Sequence, residues 1–170
     1  MHRNISENSL YIEKTMEHLL LAKLSQVIWR SKNRGLLEIA TAEIDNKGFD
    51  VVLTLGDVTR HVQLKCLKLG GKRAHIDVNV GLGLKPSGCV LLCEYDPDNL
   101  EFERFRFFGS APGKRLTKIS NMPVAKNPGR KTLRKNVRKI PKSRFEMVAT
   151  INEVIEKLFG IKVPKSKKKS

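Results

Sequence analysis

The sequence predicts an α/β fold in a single domain, with a long first helix, a central mixed β-sheet and a closing helix. The 170-residue chain is 40% hydrophobic, which is enough for a buried core and too much for a disordered chain. Helical periodicity occurs near both ends, whereas alternating or continuous apolar runs fill the middle. We therefore expect one domain over residues 1–163, interrupted by a basic excursion at about 110–142, and a basic disordered tail at 164–170.

The first helix is predicted over residues 7–31, where apolar side chains recur at helical spacing before Gly35. On a helical wheel, Glu13 and Glu17 fall within roughly 20° of the centre of the apolar stripe. A buried carboxylate costs several kcal/mol unless it is paired or binds a metal. The two glutamates are therefore either functional or, on a helix that overhangs its sheet, ion-paired or exposed at the rim.

Short strand patterns fill the middle of the chain. The run 88–95 is almost continuously apolar, which is typical of a strand buried on both faces. Residues 74–80 alternate like a strand or lead into a short helical segment at 81–85, after a Gly- and Lys-rich loop at 68–73. The complete set of predicted strands is 36–44, 49–55, 60–67, 74–80, 88–95 and 100–108.

The basic segment at 110–142 contains four prolines and little periodicity, so we expect an extended, partly ordered excursion with one short helix at about 130–138. Ser143 and Glu146 have the spacing of a capping box, which predicts that the closing helix begins at Ser143. Its apolar face continues until Gly160, where a glycine ends the pattern.

Charge is distributed unevenly along the chain. Between Glu103 and Glu146 there is no acidic residue but fourteen Lys and Arg, and removing these from the total of +16 leaves +2 for the rest. This asymmetry predicts a polyanionic partner, nucleic acid rather than membrane, because no amphipathic anchor accompanies the charge and no apolar run could span a bilayer. A solubilising surface is the alternative. The predicted phosphate contacts are Lys68, Lys72, Arg73, Lys114, Arg115, Arg130, Lys131, Arg134, Lys135, Arg138 and Lys139.

Cysteine usage and the N-terminus predict a cytoplasmic protein. Cys66, Cys89 and Cys93 have no zinc-binding spacing and cannot all pair, which indicates small buried side chains in a reducing compartment. The polar start of the chain, MHRN, does not have the pattern of a signal peptide.

Three polar side chains interrupt the apolar strands at neighbouring places. Period-two geometry places His61, Gln63 and Lys65 on one face of the third strand, and Asp50 begins the preceding strand after the turn at Gly48. Adjacent strands would bring Asp50 close to Gln63 and Lys65. An acid, an amide and an ammonium group can hold a divalent cation beside a phosphate. The alternative is a set of polar residues that face solvent from an edge strand.

This pattern resembles the PD-(D/E)xK nuclease superfamily. The shared features are a glutamate in the first helix, the run Gly48-Phe49-Asp50 and the motif Gln63-x-Lys65, which is similar to the Gln-containing variant of Mrr-like restriction endonucleases. The resemblance covers about residues 13–73. It implies a restriction-endonuclease-like αβββαβ core and a metal-dependent nuclease that hydrolyses DNA phosphodiester bonds.

The resemblance also implies roles for individual residues. Asp50 would be the principal metal ligand, the backbone carbonyl of Leu64 a second ligand, and Glu17 would complete the site. Gln63 takes the place of the family's second carboxylate, and Lys65 would orient the attacking water. The implied cofactor is Mg²⁺ or Mn²⁺, and cutting both strands of a duplex with one site per chain favours a homodimer. Alternate metal ligands are Glu43, Asp45 and Glu13.

Two other functions are compatible with the same residues. Gln63 is a neutral and weaker ligand than a carboxylate, so the chain could keep the fold and bind nucleic acid without cutting it. Alternatively, the arrangement around Asp50 is coincidental and the protein is a basic RNA- or ribosome-associated protein.

Overall fold

A computed structural model of the chain describes residues 9–31, 35–42, 48–127, 129 and 132–163. They form an α/β fold with two α-helices, a six-stranded mixed sheet (sheet A) and a three-stranded sheet (sheet B). Neither described helix combines the length and the apolar character that a membrane crossing needs. The elements are α1 (Ser9–Arg30), β1 (Glu38–Thr41), β2 (Val51–Leu55), β3 (Val58–Lys68), β4 (His75–Asn79), a 3₁₀ helix (Val80–Leu84), β5 (Gly88–Tyr95), β6 (Phe102–Gly109), β7 (Val124–Lys126), β8 (Leu133–Pro141), a 3₁₀ turn (Lys142–Arg144), β9 (Glu146–Val148) and α2 (Ile151–Phe159).

Sheet A lies between the two helices and sheet B. Its strand order is β1-β2-β3-β5-β6-β9, with β3 and β5 parallel and the other neighbours antiparallel, and sheet B has the order β4-β8-β7. Leu91 of central β5 belongs to the core beneath α1 and α2, whereas Val90 and Leu92 belong to the core beneath sheet B. All eight residues of β5 are buried. The prediction of a strand covered on both faces is therefore confirmed.

The first helix overhangs the sheet at its N-terminal end. Leu10 is 71% exposed and Glu13 is exposed, whereas Met16 and Glu17 are buried. The helical wheel therefore placed Glu17 correctly, whereas Glu13 is exposed at the rim of the overhanging helix, which is the alternative that the sequence left open.

The basic excursion folds differently from our prediction. The helix expected at 130–138 is wrong for its described part, because Leu133–Pro141 is a strand that pairs with β4 on one side and β7 on the other. Ile140 packs into the core beneath sheet B, opposite Ile76 of β4. Burial against a distant partner strand outweighs the local sequence, which has no clear period of its own.

The closing helix begins later than the predicted capping box. After Ser143 the chain forms a 3₁₀ turn and strand β9, and α2 begins at Ile151. The cap is Thr150, whose hydroxyl accepts from the Glu153 amide at 3.3 Å. The same Thr-x-x-Glu spacing thus occurs seven residues further along. Gly160 ends the helix in the left-handed conformation, φ 71°, as predicted.

The connection from β3 to the parallel strand β5 differs from the expected αβββαβ core. The resemblance implied an α-helix in this crossover, whereas residues 69–87 contain β4 and a 3₁₀ helix, in agreement with the strand predicted at 74–80 and the short helical segment predicted at 81–85. β4 leaves sheet A and joins sheet B. The helix followed by three antiparallel strands agrees with the expected core, whereas the crossover does not.

A buried arginine joins β3 to the end of α2. Arg60 is fully buried, and its Nη2 donates to the carbonyls of Ser110 at 3.0 Å and Lys157 at 3.4 Å. Its guanidinium also lies 5.5 Å from the centre of the Phe107 ring. Nothing in the strand pattern of the sequence distinguished this residue from an exposed cation.

Candidate active site

Asp50 lies where β2 separates from β3. The last ladder pair on this side is Val51 with Val62, and the Asp50 amide donates to the Val62 carbonyl at 2.9 Å. The Asp50 carbonyl, by contrast, accepts from Ala42 beside β1. The amide of Leu64 therefore donates to the Asp50 side chain, with Oδ2 at 2.6 Å. The carboxylate takes the place of a backbone acceptor and is held firmly beside β3.

The backbone carbonyl of Leu64 faces the same gap as the Asp50 carboxylate. In a β-strand, the amide and carbonyl of one residue point toward the same neighbouring strand. Since the Leu64 amide donates to Asp50, its carbonyl is directed to that side as well. The two oxygen ligands that the resemblance implied are thus positioned together at the separation of β2 and β3.

The turn before Asp50 is fixed by close packing. Gly48 has φ +78°, and a Cβ on it would lie 2.3 Å from the Cβ of Asn79, so only glycine fits there. The Phe49 ring packs edge-on against His61, with centroids 5.0 Å apart, and the Lys85 ammonium lies 5.2 Å from its centre. His61 is therefore a packing residue. This packing sets where β2 begins and hence where Asp50 lies.

The faces of β3 agree with the period-two prediction. Val62 and Leu64 pack in the core beneath the helices, whereas Gln63 and Lys65 align with β5 residues of the core beneath sheet B. Gln63 is only 5% exposed, and within the described residues its Oε1 has no hydrogen-bond partner. An unsatisfied buried acceptor costs about 1–3 kcal/mol. The amide oxygen is thus available to a cation or a water molecule.

The ammonium group of Lys65 is half-buried two residues along β3 from Gln63. In the part of the chain that the structure describes, no ion pair or hydrogen bond of this ammonium group is present, and none joins it to Asp50 or Glu17. Lys65 therefore lies next to Leu64 on β3 and, within the described residues, has no carboxylate partner that would compete with a phosphate.

Glu17 lies on α1, which covers the face of sheet A opposite to Gln63 and Lys65, and it is paired with Lys14. The Lys14 Nζ lies 3.0 Å from Glu17 Oε2. The hydrogen bond that Lys14 donates to Glu17 raises the pKa of Lys14, slight burial opposes this, and the charges of Glu17, Asp50 and Glu13 raise it further. Lys14 is therefore under the influence of both Glu17 and Asp50. Sequence reasoning missed Lys14, although its i,i+3 spacing from Glu17 is a signal that could have identified it.

The oxygen donors fit a hard divalent cation. Mg²⁺ takes carboxylate and carbonyl oxygens. Gln63 and Leu64 are adjacent on β3, and the Asp50 carboxylate lies against the Leu64 amide from the start of β2. Among the described residues there is no group of three or more His, Cys, Asp or Glu side chains that could hold a metal. The predicted set contains only two carboxylates, so it does not require such a group. The alternates Glu43 and Asp45 lie outside the described residues.

Three cations from the sequence between Glu103 and Glu146 surround one buried carboxylate. Glu94 is 3% exposed, and its carboxylate lies 3.0 Å from Arg104 Nε, 3.3 Å from Arg106 Nε and beside Lys142 Nζ. Burial alone would raise the pKa of Glu94, but the hydrogen bond and charge of Lys142 and the charge of Arg106 lower it below its ordinary value. These cations stabilise the junction of β5, β6 and the end of β8.

Two predicted nucleic-acid contacts are occupied within the protein. Arg134 forms a 2.8 Å ion pair with Asp77 of β4. Arg138 donates to the backbone carbonyls of Ser120 at 3.2 Å and Lys135 at 2.7 Å. Both side chains support sheet B, which lowers their availability to phosphate groups.

The remaining predicted contacts do not form one surface. Lys68, Lys72 and Arg73 are exposed at one end of the eight-pair β3–β5 ladder. Lys114 and Arg115 are exposed near the other end, because the neighbouring Gly113 amide donates to Ser87 just before β5. At about 3.3 Å per residue, the two groups are about 23 Å apart along the strands. Of the others, Lys135 is exposed, Lys139 is half-buried, and Arg130 and Lys131 lie outside the described residues.

No protein-family model, characterised protein or solved structure matched this chain at a significant level. At the separation of β2 and β3 lie a fixed carboxylate and a backbone carbonyl. The neighbouring Gln63 and Lys65 are on the face of β3 toward sheet B, and Lys14 lies on α1 beside Glu17. This combination of hard oxygen donors and ammonium groups is suited to binding a divalent cation together with a phosphate.

Proposed function

We propose that this protein is a metal-dependent nuclease that hydrolyses phosphodiester bonds of DNA. The observation that carries the proposal is the fixed Asp50 carboxylate, whose Oδ2 lies 2.6 Å from the Leu64 amide. Gln63, the residue before Leu64 on β3, has a buried Oε1 with no hydrogen-bond partner within the described residues. A strand that only packed would have an apolar side chain at position 63, because the orphaned amide costs stability.

Asp50, the Leu64 carbonyl and Glu17 would hold Mg²⁺ or Mn²⁺. When bound, the cation supplies charge neutralisation at the phosphate and lowers the pKa of coordinated water. The amide oxygen of Gln63 would accept a hydrogen bond from the attacking water. The Lys65 ammonium group would orient that water and offset the negative charge that develops on the phosphate oxygens.

The exposed cations at the two ends of the β3–β5 ladder would bind the phosphate backbone on both sides of the cleaved bond. Lys72 and Arg73 at one end, and Lys114 and Arg115 at the other, are exposed. Such contacts position the strand without reading its sequence, and they weaken as salt concentration rises. We therefore expect cleavage with little sequence preference and strong salt dependence.

A nucleic-acid-binding module without hydrolysis is the second candidate. Two observations favour it: Gln63 is neutral where the superfamily has a carboxylate, and Glu17 is already paired with Lys14 at 3.0 Å. Both features weaken the affinity of the site for a cation.

One cleavage assay separates the two candidates. Supercoiled plasmid and single-stranded DNA are incubated with the purified protein in Mg²⁺, in Mn²⁺ and in chelator, beside Lys65→Ala and Lys126→Ala. Lys126 is an exposed lysine of β7, so its substitution removes the same charge far from the site. We expect metal-dependent cutting by the wild type and Lys126→Ala, and none by Lys65→Ala. Cutting that persists in Lys65→Ala refutes the catalytic assignment. Tight binding without cutting in either metal establishes the second candidate.

A further inference from the structure

Trp29 is an exposed aromatic side chain at the C-terminal end of α1. It is the only tryptophan of the chain, and 76% of it is accessible to solvent. Nearby Leu36, at the entrance to β1, is 68% exposed. Tryptophan is highly buried on average in folded proteins, so an exposed indole beside a second exposed apolar side chain indicates a binding surface.

A cavity of about 500 Å³ lies beside the indole, between the end of α1 and residues 35–37. This volume is within the range of pockets that accept small planar ligands. Its lining is apolar at Ile28 and Leu37 and polar at Gln26 and Arg30. We call this cavity, together with the Trp29 ring, the Trp29 pocket.

Arg30 is the described cation that lines the Trp29 pocket. Between Glu17 and Glu38 the sequence contains four Lys and Arg and no acidic residue, but Lys23 lies over the Phe102 ring at 5.6 Å and two others are outside the described residues. Arg30 also offsets the negative end of the helix dipole. The pocket therefore combines an exposed ring and apolar side chains with an exposed arginine, which complements a nucleobase attached to a phosphate.

We infer that the Trp29 pocket binds an unpaired base of a single-stranded nucleic acid. The base stacks on the indole, the Gln26 amide pairs with the edge of the base, and Arg30 binds the adjoining phosphate. Aromatic side chains with neighbouring cations bind single strands in this way and tolerate every base, because each base has a π-face. The inference rests on the proposed nucleic-acid partner but not on hydrolysis.

The position of the Trp29 pocket specifies the form of the substrate. Trp29 follows Glu17 by twelve residues, which is about 18 Å along the axis of α1. This distance spans several nucleotides of an unpaired strand. A substrate that contacts both places on α1 therefore has an unpaired segment several nucleotides from the cleaved bond.

The fluorescence of Trp29 reports directly on this contact because the chain has no other tryptophan. The wild type is titrated with a twenty-nucleotide oligo-dT, with oligo-rU and with a blunt duplex, in chelator so that nothing is cut. Dye-labelled oligo-dT then gives the affinities of Trp29→Ala, Trp29→Phe and a control, Leu84→Ala. Leu84 is 73% exposed on the 3₁₀ helix after β4, so the control also removes an exposed apolar side chain.

We expect both single strands to quench the fluorescence and the duplex to leave it nearly unchanged. Stacking contributes about 1–3 kcal/mol per base, so Trp29→Ala should weaken oligo-dT binding about 5- to 150-fold. Trp29→Phe should retain most of the affinity, and Leu84→Ala all of it. Equal affinities of Trp29→Ala and wild type overturn the inference. So does a Trp29→Ala protein that sediments as a monomer while the wild type is a dimer, because a second copy then covers the pocket.

Failure of this inference and failure of the nuclease proposal give different results. Quenching without metal-dependent cleavage leaves the Trp29 pocket as a single-strand site on a protein that does not cut. Cleavage that depends on Lys65, without quenching of Trp29 fluorescence, supports the nuclease proposal and refutes base binding at the Trp29 pocket.

Discussion

Asp50 has both a structural and a proposed catalytic role, and two substitutions separate them. Its carboxylate accepts the Leu64 amide at 2.6 Å where β2 separates from β3. Asp50→Asn keeps the size of the side chain and an acceptor oxygen but removes the charge. Asp50→Ala removes the acceptor as well and leaves the Leu64 amide without it.

The expected magnitudes follow from this hydrogen bond. A bond to a charged acceptor contributes about 1.5–3 kcal/mol and a neutral one about 1 kcal/mol, so Asp50→Asn should cost about 1 kcal/mol and Asp50→Ala about 2–3 kcal/mol. In a chain of this size, 1 kcal/mol shifts Tm by about 2–4 °C. The expected losses are therefore about 2–4 °C for Asn and about 4–12 °C for Ala. Both variants should cut DNA more than about 100-fold more slowly, because even indirect metal partners are worth 10- to 100-fold.

Thermal unfolding followed by circular dichroism and plasmid cleavage in Mg²⁺ provide the two readouts. Asp57→Asn is the matched control, since Asp57 is exposed in the turn between β2 and β3. If Asp50→Asn cuts at the wild-type rate, Asp50 serves only as the acceptor for the Leu64 amide, and its assignment as a metal ligand is wrong. If Asp50→Ala melts with the wild type, the hydrogen bond to Leu64 does not contribute to stability.

Two further substitutions test the surroundings of the site. Glu94→Gln removes the buried charge beneath three cations and should cost about 3–5 kcal/mol at pH 7. Because the folded protein lowers the pKa of Glu94 below 4.5, this contribution is present above that value and is lost as pH falls through the folded-state pKa. Urea unfolding at pH 7 and pH 3 should therefore show a difference that shrinks in acid, and an undiminished difference contradicts the pairing. Gly48→Ala should cost more than about 2 kcal/mol, the left-handed backbone plus the clash with Asn79, and should slow cleavage. Gly56→Ala shares the positive φ but meets no atom within 4 Å, so equal melting temperatures for the two variants would exclude the clash.

The sequence correctly predicted those helices and strands whose apolar residues recur at a regular spacing within the element. The continuous apolar run identified β5, and the alternation in β3 placed Gln63 and Lys65 on the face opposite Val62 and Leu64. Helical periodicity also placed Glu17 against the core. In each case the side chains of one element carry the information, so no knowledge of a distant partner was needed.

Features that depend on a distant partner could not be predicted. β8 was expected to contain a helix, but it pairs with β4, with His75 opposite Pro141. From the sequence alone, Arg106 and Lys114 cannot be distinguished as cations. In the structure, Arg106 pairs with buried Glu94, whereas Lys114 is exposed. Which cation meets an acid is decided by tertiary packing, so counting charges overestimated the surface available to nucleic acid.

The site itself was predicted in part for the same reason. Adjacent strands brought Asp50 beside β3 as expected, since hairpin register follows from the short turn after β2. The contact of Asp50 with the Leu64 amide could not be predicted, because it requires β2 to separate from β3 at that residue. The pairing of Lys14 with Glu17 could have been predicted from their i,i+3 spacing, whereas the helical wheel shows only that Glu17 falls in the apolar stripe.

The charges at the candidate site bear on how metal and nucleic acid would bind together. Asp50 and Glu17 carry two negative charges, and Lys14 and Lys65 carry two positive charges, so the ionic groups cancel. A divalent cation would leave an excess of two positive charges, which an incoming phosphate partly neutralises. Each ligand should therefore strengthen the binding of the other, and weak metal binding by the chain alone is compatible with activity on DNA. The cluster at Glu94 shows why excess positive charge is not sufficient for a phosphate site: three cations surround one carboxylate there, but their donors are already directed at its oxygens.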